Sequence, residues 1–119
     1  MKCTIDNKYL TTLRGLATAD NDAPDAARLL RLSANGKTIS ISGPGGDVDL
    51  PSQVERPGVL FIPAALFVDA TAHLHTRHWI NVDATPHLVR VNDQSLNLKK
   101  KDFKLVADPA KAPATWTPR

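Results

Sequence analysis

The first half of the chain spaces its apolar residues in two ways, one typical of strands and one typical of helices. Strands are predicted where apolar and polar positions alternate, at residues 2–6 (KCTID), 27–34 (ARLLRLSA), 37–42 (KTISIS) and 47–50 (DVDL). A helix is predicted where apolar residues recur on one helical face, at Leu10, Leu13, Leu16 and Ala17. Asp6 or Asn7 can cap this helix. Asn35-Gly36 and residues 43–46 (GPGG) are predicted turns.

The most apolar stretch of the chain is residues 58–78 (GVLFIPAALFVDATAHLHTRH). Its unbroken apolar part, Val59–Val68, is shorter than the roughly 20 residues that cross a bilayer, so we expect no membrane anchor. Pro63 suits the first turn of a helix, where its missing N–H costs nothing, and so the stretch is predicted to be a strand followed by a helix. The predicted inward face of that helix is Leu66, Phe67, Ala70 and Leu74. Further strands are predicted at residues 79–82, 88–91 and 96–98, with 103–106 extending or flanking the last.

The order strand, helix, three strands therefore occurs twice, and the two halves can be aligned. The equivalent positions are Ile5 with Ile62, Leu10 with Phe67, Leu30 and Leu32 with Ile80 and Val82, and Ile39 and Ile41 with Val89 and Val91. Such a repeat indicates two similar units that share one core. The prediction is an α+β fold with a duplicated β-α-β-β-β half-repeat. Its two helices pack side by side on a curved, mostly antiparallel sheet.

Composition and charge narrow the class of protein. The chain has 119 residues, which suit one domain, predicted at residues 1–108, and a Pro/Ala-rich tail at 109–119 that is mobile except at Trp116. A net charge of +3 fits an acidic partner but does not by itself indicate nucleic acid. Cys3 is the single cysteine, which excludes an internal disulfide and fits a reducing cytoplasm. The first ten residues contain no long apolar run, so no secretory signal is expected.

The sequence does not favour catalysis or a cofactor. His73, His75 and His78 do not share one helical face, and no Cys or Glu completes a metal-binding set. The glycine-rich segment at 43–46 leads into a strand and not into a helix, which favours a turn over a phosphate cradle. Cys3 lies in a predicted strand and has the character of a small buried hydrophobe. We therefore expect no enzyme activity, no metal and no cofactor.

Four segments in this order resemble one known family. MKCTIDNKYLTTL is similar to the MKFTVxRxxLLxxL start of the bacterial DNA polymerase sliding clamp, the beta subunit. LLRLSANGKTISISG resembles its LLLxVxDGxLxLTGTD hairpin, and GVLFIPAALFVDATAHL resembles its GxxxVPAxxFxDIxRxL strand and helix. HLVRVNDQSLNL resembles its xLxVRSGRSRFxL hairpin. The resemblance covers residues 1–108, about one clamp domain.

The resemblance implies a ring built from such domains. Family clamps are closed rings of six domains, formed as dimers of three-domain chains, and their helices line a hole around duplex DNA. A chain with one domain would close a ring by head-to-tail self-association, with six copies as the natural number. Helix faces that line the hole carry basic residues, because duplex DNA attracts distributed positive charge. By this resemblance, the candidates for DNA contact are Lys8, Arg14, His75 and Arg77.

The densest run of charge lies near the end of the predicted domain. A solvated strand end, a phosphate contact, protection of an edge strand and a self-assembly contact are all compatible with this run. In clamps, the corresponding region lies near the head-to-tail subunit edge. The resemblance therefore makes the following residues candidates for self-association: Arg90, Lys99, Lys100, Lys101 and Lys104.

Two hypotheses of function stay open at this point. The first is a non-catalytic, sliding-clamp-like protein that self-associates and contacts duplex DNA or replication proteins. The second is a protein–protein interaction module with a clamp fold that does not encircle DNA. The second is favoured by the acidic loop after the first helix (Asp20, Asp22 and Asp25) and by Asp69 on the second helix. A third hypothesis, an enzyme that uses the histidine cluster, has less support.

Overall fold

A computed structural model describes residues 1–18, 29–43, 46–71, 78–92, 94–96, 98–99 and 102–116. Two α-helices occur in these ranges, α1 (Leu10–Thr18) and α2 (Ala64–Thr71). The strands of the first half are β1 (Lys2–Asp6), β2 (Leu29–Asn35), β3 (Thr38–Gly43), β4 (Gly46–Pro51) and β5 (Gln53–Arg56). The strands of the second half are β6 (Gly58–Pro63), β7 (Trp79–Ala84), β8 (Val89–Val91), β9 (Gln94–Ser95) and β10 (Lys104–Val106). Neither described helix is long and apolar enough to cross a membrane.

The strands form two antiparallel sheets. Each sheet combines the first and last strands of one half with three strands of the other half. Sheet A has the order β5-β1-β7-β8-β9 and sheet B the order β10-β6-β2-β3-β4. In sheet A, Ile5 of β1 pairs with Ile80 of β7, and in sheet B, Leu30 of β2 pairs with Ile62 of β6. Each half therefore completes the sheet of the other half, so the two halves are interlocked.

This arrangement confirms the α+β class, the duplication and the pair of helices. The predicted alignment of the halves holds for the sheets, since exchanging β1 with β6, β2 with β7, β3 with β8, β4 with β9 and β5 with β10 converts one sheet order into the other. The structure differs from the prediction in two details. Each helix is followed by four strands and not three, and the strands divide between two sheets.

One core lies between the inner faces of the sheets and the helices. The alternation of β2 buries Leu30 and Leu32, and that of β7 buries Ile80 and Val82, as predicted. The helices pack against each other, and Phe67 of α2 is fully buried. Leu66 was predicted to face inward but is only half-buried, and Leu74 lies outside the described residues.

The hairpin between β2 and β3 turns one residue later than predicted. Asn35 pairs with Thr38, so Gly36 and Lys37 are the two central residues of the turn, and not Asn35 and Gly36. Gly36 has φ +66°, which glycine adopts without strain and which a type II′ turn requires at its first central position. The next turn joins the paired residues Gly43 and Gly46; residues 44–45 lie outside the described ranges.

Residues 107–116, here called the strap, cross the outer face of sheet B. A 3₁₀ turn at Pro109–Lys111 begins the crossing, and the Arg31 Nε–H donates to the carbonyl oxygen of Pro113 at 3.3 Å. The ring of Trp116 then packs on Phe61, with 6.2 Å between the ring centroids. Phe61 points away from the core yet is only 2% exposed. The described part of the predicted tail, up to Trp116, thus lies on sheet B.

Candidate assembly edges and nucleic-acid surface

The two ends of the molecule differ in charge. At one end, β4 and β5 are the edge strands of the two sheets and are joined through Ser52 alone. Asp47 and Asp49 are exposed on β4 and form what we call the acidic edge. Strand β5 adds Glu55, whose carboxylate is 3.3 Å from Lys2 Nζ, and Arg56, whose guanidinium is 2.6 Å from Asp83 Oδ1, so both charges are offset.

At the other end, β9 and β10 are the edge strands. Lys99 after β9 and Lys104 on β10 are exposed and form what we call the basic edge. Arg90, a third self-association candidate, is also exposed but lies one strand inward on β8, opposite Asp83 of β7. Lys100 and Lys101, the other two, lie outside the described residues.

The predicted DNA-contact residues are only partly described. Arg14 is exposed on α1, between the buried Leu13 and Leu16. Lys8 was predicted to lie on the first helix, but it lies in a 3₁₀ turn, Asn7–Tyr9, that precedes α1. The helix starts later than predicted because Asp6 Oδ1 accepts the backbone N–H of Lys8 at 2.9 Å and so caps this turn. His75 and Arg77 lie outside the described residues.

A groove that the sequence did not reveal opens beside Lys8. Its volume is about 650 Å³. Its lining includes two aromatic residues, two lysines and two apolar residues: Tyr9, Trp79, Lys8, Lys37, Pro51 and Val54. Trp79 is 51% exposed. A signal for this exposure was available, because Trp79 precedes the buried Ile80 and strand alternation turns neighbours to opposite faces. We call this feature the aromatic groove.

The histidine and cysteine side chains weighed in the sequence analysis are only partly described by the structure. No group of three or more His, Cys, Asp or Glu side chains that could hold a metal ion occurs among the described residues. His78 is exposed, whereas His73 and His75 fall outside the described ranges. Cys3 is 1% exposed, and burial raises the pKa of its thiol to about 11, which disfavours the reactive thiolate.

The two interlocked sheets and their paired helices define the class: the fold is that of a DNA-clamp domain. Among solved structures, the chain is similar to the Helicobacter pylori beta clamp bound to a DNA ligase peptide, with a TM-score of 0.63 and 16% identity over 96% of this chain and 32% of the clamp chain. It is also similar to the Caulobacter crescentus DNA polymerase sliding clamp, with a TM-score of 0.61 and 16% identity over 98% of this chain and 33% of that one.

A third similar structure is the beta subunit of the Streptococcus pyogenes DNA polymerase, with a TM-score of 0.61 and 12% identity over 98% of this chain and 33% of that one. The chain thus spans about a third of the length of each of these clamps. No family model matches the sequence, and no curated protein does. The resemblance predicted from the four sequence segments is confirmed at the level of the fold.

Proposed function

We propose that the chain is a non-catalytic, clamp-like protein of the cytoplasm that self-associates head to tail and contacts duplex DNA or replication proteins. The observation that carries the proposal is the charge difference between the two ends of a clamp fold. The acidic edge of one copy can meet the basic edge of the next, and repeating this contact generates a ring or a filament. Complementary charge of this kind favours the correct register and speeds association.

The self-association is tested by reversing the charge of each edge separately. The double variant Asp47→Lys/Asp49→Lys leaves both ends positive, and Lys99→Glu/Lys104→Glu leaves both ends more negative. We expect each variant alone to lose the assembled mass of the wild type in size-exclusion chromatography with light scattering. Mixing the two variants should restore assembly, because each end then meets an end of opposite charge.

The control is Lys111→Glu, which reverses an exposed lysine of the strap that lies on neither edge. It should assemble like the wild type. A wild-type chain that is monomeric at high concentration refutes the self-association, and so does an equal loss of mass in the control.

The DNA contact is tested by the salt dependence of duplex binding. Each phosphate that the protein no longer neutralises should reduce the log–log salt slope by about 0.9. Arg14→Ala removes an exposed cation of α1 and is expected to lower the slope by about that amount for each copy that touches the duplex. Duplex binding that does not depend on salt contradicts this contact.

The second candidate function is an interaction module that keeps the clamp fold without encircling DNA. Asp69 is exposed on α2, and a carboxylate on a helix face that borders duplex DNA would repel phosphates. The same salt titration separates the candidates, because a module of this kind predicts little affinity for duplex DNA even at low salt. Asp69→Lys should then raise duplex affinity only if α2 faces the DNA.

A further inference from the structure

The backbone on both sides of the aromatic groove is held in place by hydrogen bonds that its carbonyl oxygens accept. On one side, the Asn7 N–H donates to the carbonyl oxygen of His78 at 3.1 Å, which ties the turn that bears Lys8 and Tyr9 to the residue before Trp79. Asn92 Nδ2 donates to the carbonyl oxygen of Trp79 at 3.1 Å. The backbone that carries both rings is therefore fixed before any ligand arrives.

The opposite wall is fixed through the corner between β4 and β5. The Ser52 N–H donates to the carbonyl oxygen of Lys37 at 2.9 Å, and Ser52 Oγ donates to the carbonyl oxygen of Thr4 at 2.9 Å. Lys37 in the β2–β3 turn is thus held across the groove from Lys8. Preorganisation of this kind lowers the entropic cost of binding.

The chemistry of the lining matches a stacked base and its phosphates. Trp79 presents half of its surface to solvent, and Lys8 Nζ lies 5.2 Å from the centroid of the Tyr9 ring. Proteins that bind single-stranded nucleic acid combine aromatic rings, on which bases stack, with cations that follow the backbone. The lining contains two lysines and one carboxylate, Asp6, whose Oδ1 accepts a backbone N–H, so the groove carries a net positive charge.

The openness of the groove favours a base over an apolar peptide side chain. A peptide anchor is best held in an enclosed, desolvated pocket. Trp79 instead remains 51% exposed, which suits a flat ring lying against the indole face. We propose that the aromatic groove binds single-stranded DNA, with a base stacked on Trp79 and phosphates near Lys8 and Lys37. This inference needs neither ring assembly nor duplex binding, so it can stand or fall independently of the proposed function.

The test uses a fluorescein-labelled oligothymidylate of about 12 nucleotides, which lies within the known range of site sizes. Fluorescence anisotropy at low salt should show saturable binding to the full chain. Trp79→Ala should weaken it by about 5- to 150-fold, the loss expected for one stacked base. Trp79→Phe should retain most of the affinity, because it keeps a ring. Lys8→Ala/Lys37→Ala should lower the log–log salt slope by about 0.7 for each phosphate that is no longer neutralised.

Two controls are matched to these variants. Leu88→Ala removes another exposed large apolar side chain, 41% exposed, away from the groove, and Lys111→Ala removes a lysine of the strap. Both should bind like the wild type. A Trp116→Phe background isolates the emission of Trp79, which unlabelled oligothymidylate should quench if a base stacks on the indole.

Three outcomes overturn the proposal. The first is no oligothymidylate binding at low salt. The second is binding that Trp79→Ala and Lys8→Ala/Lys37→Ala leave unchanged, which indicates charge attraction elsewhere. The third is a labelled acidic peptide with a central Leu-Phe that binds in a Trp79-dependent way while oligothymidylate does not, which assigns the groove to a protein partner.

Discussion

Replacing Trp116 by alanine tests whether the strap is part of the folded domain. Trp116 packs on Phe61 with an interplanar angle of 46°, and an aromatic pair of this kind contributes about 0.5–1.5 kcal/mol beyond its buried area. Replacing a fully buried aromatic residue by alanine costs roughly 3–5 kcal/mol in the free energy of unfolding. Trp116 is only half-buried, so its replacement should cost a fraction of that. A loosened strap would also weaken the 3.3 Å hydrogen bond from Arg31, worth about 0.5 kcal/mol at that length.

These terms together predict a loss of about 2 kcal/mol in the free energy of unfolding. For a chain of this length, that loss lowers the melting temperature by roughly 6–10 °C. Far-UV circular dichroism during urea unfolding is the suitable assay, because the substitution removes one of the two tryptophans and alters the fluorescence. The m-value should stay constant if the native state keeps its compactness.

The control is the same substitution at Trp79, whose ring is half-exposed on the other sheet. Trp79→Ala should lower the unfolding free energy by about 1 kcal/mol or less, the span of strand propensities, because no aromatic pair is lost among the described residues. A double-mutant cycle of Trp116→Ala with Phe61→Ala should give a coupling of about 0.5–1.5 kcal/mol. The reasoning is refuted if Trp116→Ala costs no more than Trp79→Ala, or if the coupling is near zero, since either result means that the strap is not anchored through these rings.

Three further predictions concern the core. Phe67→Ala should cost about 3–5 kcal/mol in urea unfolding, because the ring is fully buried between the helices and sheets; a cost near 1 kcal/mol would contradict this packing. Gly43→Ala should cost about 1–3 kcal/mol, because its Cβ would lie 2.7 Å from the backbone oxygen of Leu16 and 2.6 Å from Leu30 Cδ2, and backbone cannot move aside cheaply. Burial raises the thiol pKa of Cys3 from 9.0 to about 11, so a thiol reagent at pH 8 should react only after unfolding. The folded state holds this proton more tightly, so the free energy of unfolding should fall as the pH rises from about 9 to about 11, and the fall should be smaller in Cys3→Ala.

Alternation and the internal repeat carried most of the fold prediction. The buried residues of the long strands could be assigned because apolar and polar side chains alternate along them. Arg31, for example, lies between the buried Leu30 and Leu32. Strand β5 was missed because its residues carry almost no apolar signal. Only Val54 is half-buried, and the strand exists because it pairs with β1, far away in sequence.

The surfaces could be predicted only as separate residues. Lys99 and Lys104 were identified from their charge, but their position at the edges of two sheets depends on the order of strands in those sheets. The aromatic groove brings together residues 4–9, 36–37, 51–54 and 79, and no local pattern indicates that Lys37 lies near Trp79. The same holds for the strap, since the contact between Phe61 and Trp116 joins positions far apart in the chain.

The duplication explains why sheet B needs a cover on its outer face and sheet A does not. Because Ile5 is equivalent to Ile62, Thr4 on sheet A is equivalent to Phe61 on sheet B, and Asn81 is likewise equivalent to Arg31. In sheet A this pair is polar, with Thr4 Oγ1 donating to Asn81 Oδ1 at 2.8 Å.

In sheet B the same two positions hold a ring with a guanidinium 5.8 Å from its centroid, and the strap covers them. This substitution accounts for the burial of β6, whose residues from Gly58 to Ile62 are all buried, whereas β1 alternates. A polar outer face can meet water without cover, but an aromatic one needs a partner. The strap supplies that partner for sheet B, whereas the outer face of sheet A carries a polar pair and, farther along β7, the half-exposed Trp79 of the aromatic groove.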